Sequence, residues 1–125
     1  MSRNLEASIQ RHLVTWCKQH ENPIYHTVFH VPNGELRDKV TAIRLKKQGV
    51  VAGIPDLCIP LPGGQTLWLE LKTKKGRLSK VQKKLIDRWA ERGHIVRVAY
   101  GYDEAVAILE EVGSLNITTV KAVNK

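Results

Sequence analysis

The sequence predicts an α/β domain, a mixed central β-sheet flanked by helices. Two observations carry this. Helix-type and strand-type hydrophobic periodicities alternate along the chain in the order α-β-α-β-β-α-β-α, which a helix-covered sheet accommodates. Two consecutive strand signals, on either side of Pro62-Gly63-Gly64-Gln65, add an antiparallel hairpin to that sheet.

The elements follow in order. Leu5, Ile9, Leu13 and Trp16 recur at helical spacing, so a helix is expected over residues 4–20, with Asn4 as N-cap and Asn22-Pro23 as its stop. Tyr25 to Val31 is aromatic and β-branched and reads as a strand closed by Pro32-Asn33-Gly34. Residues 36–48 read as a second, basic helix ended by Gly49. Asp56 to Leu61 and Thr66 to Lys72 form the hairpin strands. A helix begins at Ser79, carries Val81, Leu85, Ile86 and Trp89 on one side, and ends at Gly93. Ile95 to Tyr100 is a further strand, and Asp103 to Val112 a last helix before Gly113. Residues 1–115 then make one domain. Residues 116–125 are a short tail, an edge strand or loose.

Composition narrows the class. A chain of 125 residues, 42% hydrophobic, buries enough surface to fold without staples. Cys17 and Cys58 lie among apolar residues and read as reduced core thiols. No apolar signal stretch follows Met1, and no run approaches the ~20 apolar residues of a membrane span. A cytoplasmic rather than secreted or membrane protein is expected.

Charge gives the first functional hint. Twenty Lys+Arg face twelve Asp+Glu, a net charge of +8, which favours polyanionic partners, nucleic acid first. Lys72, Lys74, Lys75, Arg77, Lys80, Lys83 and Lys84 follow one another with no acid between them. No Gly-rich phosphate loop is present, since Gly63-Gly64 serves the hairpin, and no organic cofactor is expected. The histidines show no zinc-ligand spacing.

Three residues stand out once the strands are drawn. Glu70 and Lys72 are two apart in an otherwise apolar strand of Leu67, Trp68, Leu69 and Leu71, so they project from one face. A twisted hairpin brings Asp56 beside them. Two carboxylates offer the hard oxygens that Mg²⁺ or Mn²⁺ prefers, with the Leu71 carbonyl as a further ligand. Lys72 can then orient the attacking water and offset charge on a phosphate. The alternative is a Glu70–Lys72 ion pair on an edge strand. Trp68 and Trp89 read as core, with base stacking as their alternative role.

Gly53-Ile54-Pro55-Asp56-Leu57, then Leu69-Glu70-Leu71-Lys72-Thr73-Lys74, then Leu78-Ser79-Lys80-Val81-Gln82 resembles the PD-(D/E)xK nuclease superfamily. More narrowly, it is similar to the virus-type replication-repair nuclease (VRR-NUC) domain, over nearly the whole chain. The resemblance implies a restriction-endonuclease-like core, Asp56 and Glu70 as metal-binding carboxylates, and Lys72 as the catalytic lysine. Gln82 matches a glutamine that supports such sites; Ser79-x-x-Gln82 is equally a capping box. Glu6 resembles an acid on the first helix at the edge of the metal site, and also suits a first-turn acid favoured by the helix dipole. His30 and Asn33 fall in a segment shared with the family, where a phosphate contact is implied. Lys74, Lys75, Arg77, Lys80, Lys83 and Lys84 would bind the DNA backbone.

The implied activity is metal-dependent, structure-selective cleavage of DNA. Small stand-alone domains of this kind resemble Holliday junction resolvases, acting in DNA repair as homodimers on branched DNA, whereas larger relatives carry extra domains. A nuclease for flaps, single strands or RNA, or a non-catalytic nucleic-acid-binding module, are the alternatives.

Overall fold

The computed structural model describes residues 2–32 and 38–123. A four-stranded mixed sheet in the order β1-β2-β3-β4 forms the centre. β2 (Leu57–Pro60) runs antiparallel to both β1 (Phe29–His30) and β3 (Thr66–Lys72), and β4 (Ile95–Tyr100) runs parallel to β3. The parallel pair requires a crossover, supplied by α3 (Lys80–Glu91). The α/β expectation and the hairpin are therefore present.

Alternation along β3 divides the molecule. Leu67, Leu69 and Leu71, with Leu57 and Ile59 opposite them on β2, face α1 (Ser2–Gln19) and α4 (Tyr102–Val123). Leu13 and Cys17 of α1 and Ala105, Ile108, Leu109 and Val112 of α4 complete that buried cluster. Trp68, Glu70 and Lys72 point to the other face, which α3 covers; Trp68 meets Trp89 of α3 edge-on at 4.9 Å. The two cysteines are free and buried, and burial pushes the Cys17 thiol up to about 12. No described helix is long and apolar enough to cross a membrane.

Four expectations are corrected. Asn4 lies inside α1, which starts at Ser2, so it is no N-cap. The strand expected over 25–31 shrinks to Phe29–His30, because Asn22 and Pro23 start a 3₁₀ turn through Tyr25 instead. The Asn22 side chain accepts from the Ile24 N–H, and Pro23 supplies the preset φ of a helical first residue. The aromatic ring of Tyr25 serves packing rather than pairing: it is buried, and its hydroxyl donates to the Leu109 carbonyl of α4 at 2.6 Å.

The remaining two corrections concern α4. It does not end before Gly113 but continues to Val123, so the tail expected as an edge strand or loose is helical to that point. Gly113 is needed within the helix because a Cβ there would overlap the Tyr25 hydroxyl. Closeness, not chain reversal, explains that glycine. The second helix is α2 (Lys39–Lys47), capped by the Asp38 carboxylate on the Thr41 N–H at 2.7 Å. Residues 36 and 37 of the expected helix lie outside the described residues.

Candidate active site

The site is built where β2 runs out and β3 continues. Main-chain pairing between them starts at Leu57 opposite Leu69, so Leu71 extends past the end of β2. Its N–H is taken by a side chain: the Asp56 carboxylate accepts it at 2.8 Å. The Asp56 carbonyl is held from the opposite side, accepting the Val31 N–H at 3.0 Å and lying 2.8 Å from His30 Nδ1. Buried Pro55 precedes it. Asp56 is thus pinned through both its main chain and its side chain before any ligand is considered.

Glu70 lies on the same face as Lys72, and both are buried, at 2% and 8% exposure. Glu70 Oε2 sits 3.8 Å from Lys72 Nζ and accepts from Gln82 Nε2 at 3.1 Å. Glu70 Oε1 is buried with no hydrogen-bond partner. Such an orphaned oxygen is costly unless something fills its lone pairs.

Gln82 serves two structures at once. Its Oε1 accepts the Ser79 N–H at 2.9 Å, while the Ser79 hydroxyl accepts the Gln82 N–H at 3.1 Å, completing the capping box of α3. The amide nitrogen left over is the one that reaches Glu70. Both readings of Ser79-x-x-Gln82 therefore coexist in one side chain.

The electrostatics follow from burial. Burial and the neighbouring Asp56 charge push the Glu70 carboxyl up to about 8, against the opposing pull of Lys72. Burial also raises Asp56, offset in part by the Leu71 hydrogen bond. The charges of Lys72 and Asp56 both reach Glu6 on α1, whose carboxyl burial raises, so the first helix does bring this acid toward the pair. A carboxyl raised in the fold holds a proton there that the unfolded chain has already released. Stability from Glu70 is full below its ordinary value of 4.5 and is lost as pH rises through about 8. Metal-free protein should accordingly show a melting temperature that falls between about pH 5 and pH 8, and Glu70→Gln should flatten that slope. Calorimetry of the two proteins across the range checks it; equal slopes would contradict it.

The other expected residues are placed as follows. Lys74, Lys75, Arg77, Lys80, Lys83 and Lys84 are exposed along the loop after β3 and the first turns of α3. The stem of Lys74 lies over Gly101, whose N–H donates to the Lys72 carbonyl at 2.8 Å. His30 reaches the main chain of Asp56, and Asn33 lies outside the described residues. Leu71 joins through its N–H.

Sequence reasoning missed Gly53 as a positioning residue. Its φ of +86° favours glycine, and a Cβ would meet Val81 at 3.0 Å, so the loop leading to Asp56 can rest on the first turn of α3. A glycine three residues before the aspartate was the available signal.

Among the described residues, no three His, Cys, Asp or Glu side chains form a group that could hold a metal by themselves. A hard cation that retains waters needs fewer protein ligands. Two converging carboxylates with one buried oxygen unpaired fit such an ion.

Comparison with known proteins bears on the family and the fold. The signature of the VRR-NUC domain matches residues 2–103. A solved structure named a VRR_NUC domain protein superposes with a TM-score of 0.70 at 26% identity, covering 84% of each chain. No curated protein matches the chain.

Proposed function

The chain belongs to the VRR-NUC domain family, a nuclease family, and from that premise we propose that it is a divalent-metal-dependent, structure-selective DNA endonuclease acting on branched DNA, such as Holliday junctions, as a homodimer. The observation that carries the chemistry is the unpartnered, buried Glu70 Oε1 beside Asp56 and Lys72.

Asp56, Glu70 and the Leu71 carbonyl would hold Mg²⁺ or Mn²⁺, with Glu6 at the edge of the same site. When bound, the ion supplies Lewis-acid polarisation of the phosphate and lowers the pKa of a coordinated water. The remaining tasks fall to the chain itself. Lys72, held in a largely buried position, orients the attacking water and offsets the negative charge that grows on the phosphate. Gln82 fixes the rotamer of Glu70 through Oε2 and leaves Oε1 free to act as a ligand. The exposed lysines and Arg77 attract the phosphate backbone without reading bases.

Gln82→Glu tests the division of labour in that residue. Glutamate preserves the capping box but places a carboxylate against Glu70. Cleavage should fall about 10- to 100-fold with little change in melting temperature. Retained activity would remove Gln82 from the site.

The activity itself is tested on a labelled four-way junction beside linear duplex, flap and single-stranded DNA and RNA, in Mg²⁺, Mn²⁺ and chelator. Paired symmetric nicks that disappear with chelator are the expected result. Metal-dependent cutting of flaps, single strands or RNA instead would overturn the junction and dimer assignments. Tight, salt-sensitive binding with no cleavage of any substrate would make the chain a binding module.

A further inference from the structure

The face of the sheet that carries Glu70 and Lys72 does not end at the carboxylates. Two residues back along β3, on the same side, stands Trp68, half-buried against Trp89 of α3. The two rings form one wall of an apolar groove of about 360 Å³, closed by Val31, Pro32, Ile54 and the exposed loop Gln48–Val51. That volume is within the range of sites that take one small ligand.

Basic residues precede the rim along the chain. Gln48 ends α2, whose last turn carries Arg44, Lys46 and Lys47, all exposed. The groove thus has aromatic and aliphatic walls and an amide at its rim, and the helix turn that leads to that rim carries exposed cations. This combination suits a nucleobase attached to a phosphate.

Stacking restricts which base can enter. Within a duplex each base has both faces covered by its neighbours, so only an unpaired base that has left the stack can lie against the rings.

We propose that the Trp68–Trp89 groove captures a single unpaired nucleobase next to the phosphate on which the Asp56–Glu70–Lys72 site acts. It thereby makes an unpaired nucleotide beside the cut a determinant of substrate choice. The proposal rests on the nuclease reading for the position of the phosphate, and its test separates the two.

The full chain, in chelator to stop cleavage, is irradiated with a branched DNA carrying one 5-iodouracil at an unpaired position by the branch point. Mass spectrometry then locates the cross-link. An adduct on Trp68 or Trp89, at least about fivefold weaker when the same 5-iodouracil is paired within duplex, is expected. An adduct confined to Trp16 or Tyr102, or equal yields from paired and unpaired positions, overturns the groove. Val50→Glu, an exposed substitution at the groove wall, gives a second readout that does not depend on removing a packed ring. The ratio of affinity for unpaired over duplex DNA should fall at least about fivefold, and an unchanged ratio overturns the proposal. So would a concentration-dependent doubling of mass without DNA that Val50→Glu abolishes, because the groove would then be filled by a second copy of the chain. Cross-linking at Trp68 or Trp89 without cleavage of any substrate defeats the nuclease reading alone; cleavage without that cross-link defeats the groove alone.

Discussion

Asp56→Asn should abolish cleavage while the protein stays folded. The carboxylate has two separable roles, accepting the Leu71 N–H at 2.8 Å and contributing negative charge beside Glu70. Asparagine keeps an oxygen for the first and loses the second. Activity should drop at least about a thousandfold, equivalent to ~4 kcal/mol of lost transition-state stabilisation. Removing a charge that raises Glu70 should also return the Glu70 carboxyl toward its ordinary range. Asp56→Ala removes both roles. Besides the lost activity, it leaves the Leu71 N–H unpaired past the end of β2, at a cost of about 1–3 kcal/mol. Comparing the thermal unfolding of the two variants separates architecture from chemistry. DNA affinity in chelator should survive in both, since exposed lysines supply it. Residual metal-dependent cleavage by Asp56→Asn above a thousandth of wild type would remove Asp56 from the metal site.

Gly113→Ala should destabilise the fold by about 2 kcal/mol or more, although alanine is the better helix former by about 1 kcal/mol. The Cβ would overlap the Tyr25 hydroxyl, which is buried and bonded to the Leu109 carbonyl one turn earlier. Either α4 shifts from the core or the tyrosine leaves its acceptor, and each costs packing or a buried hydrogen bond. Tyr25→Phe removes the overlapping oxygen. The double variant Gly113→Ala/Tyr25→Phe should therefore be more stable than the sum of the single changes allows, a coupling that a double-mutant cycle of denaturant midpoints detects. Strict additivity would mean that the glycine is tolerated for some reason other than the phenol.

The contrast between these two positions indicates what the chain reveals by its order. The grouping of Asp56, Glu70 and Lys72 and the capping box of Gln82 were legible because they are made of local devices, a hairpin register, a period of two and a Ser-x-x-Gln spacing, whereas a place for Gln82 beside Glu70 came only from the resemblance. Each depends on residues close in sequence. The fold class was legible for the same reason. Tyr25 and Gly113 were not, because the meaning of each is set by a partner more than eighty residues away. A phenol that anchors a helix looks, locally, like part of an aromatic strand, and a glycine that makes room looks like a helix stop. His30 was singled out by resemblance, yet its contact with the Asp56 carbonyl appears only when β1 pairs with β2.

The hydrogen bonds that shape the site have a kinetic consequence. Asp56 to Leu71 spans 15 positions and Glu70 to Gln82 spans 12, against 84 for the Tyr25 anchor. Short loops cost little entropy to close, so the hairpin and the start of the crossover helix can assemble as one cooperative unit before the terminal helices dock. In native-state hydrogen exchange, the amides of Leu71 and Gln82 should then stay protected at denaturant concentrations that have already released the amides of α4. The face that carries the candidate site and the long-range closure of the molecule would be separate stages of folding.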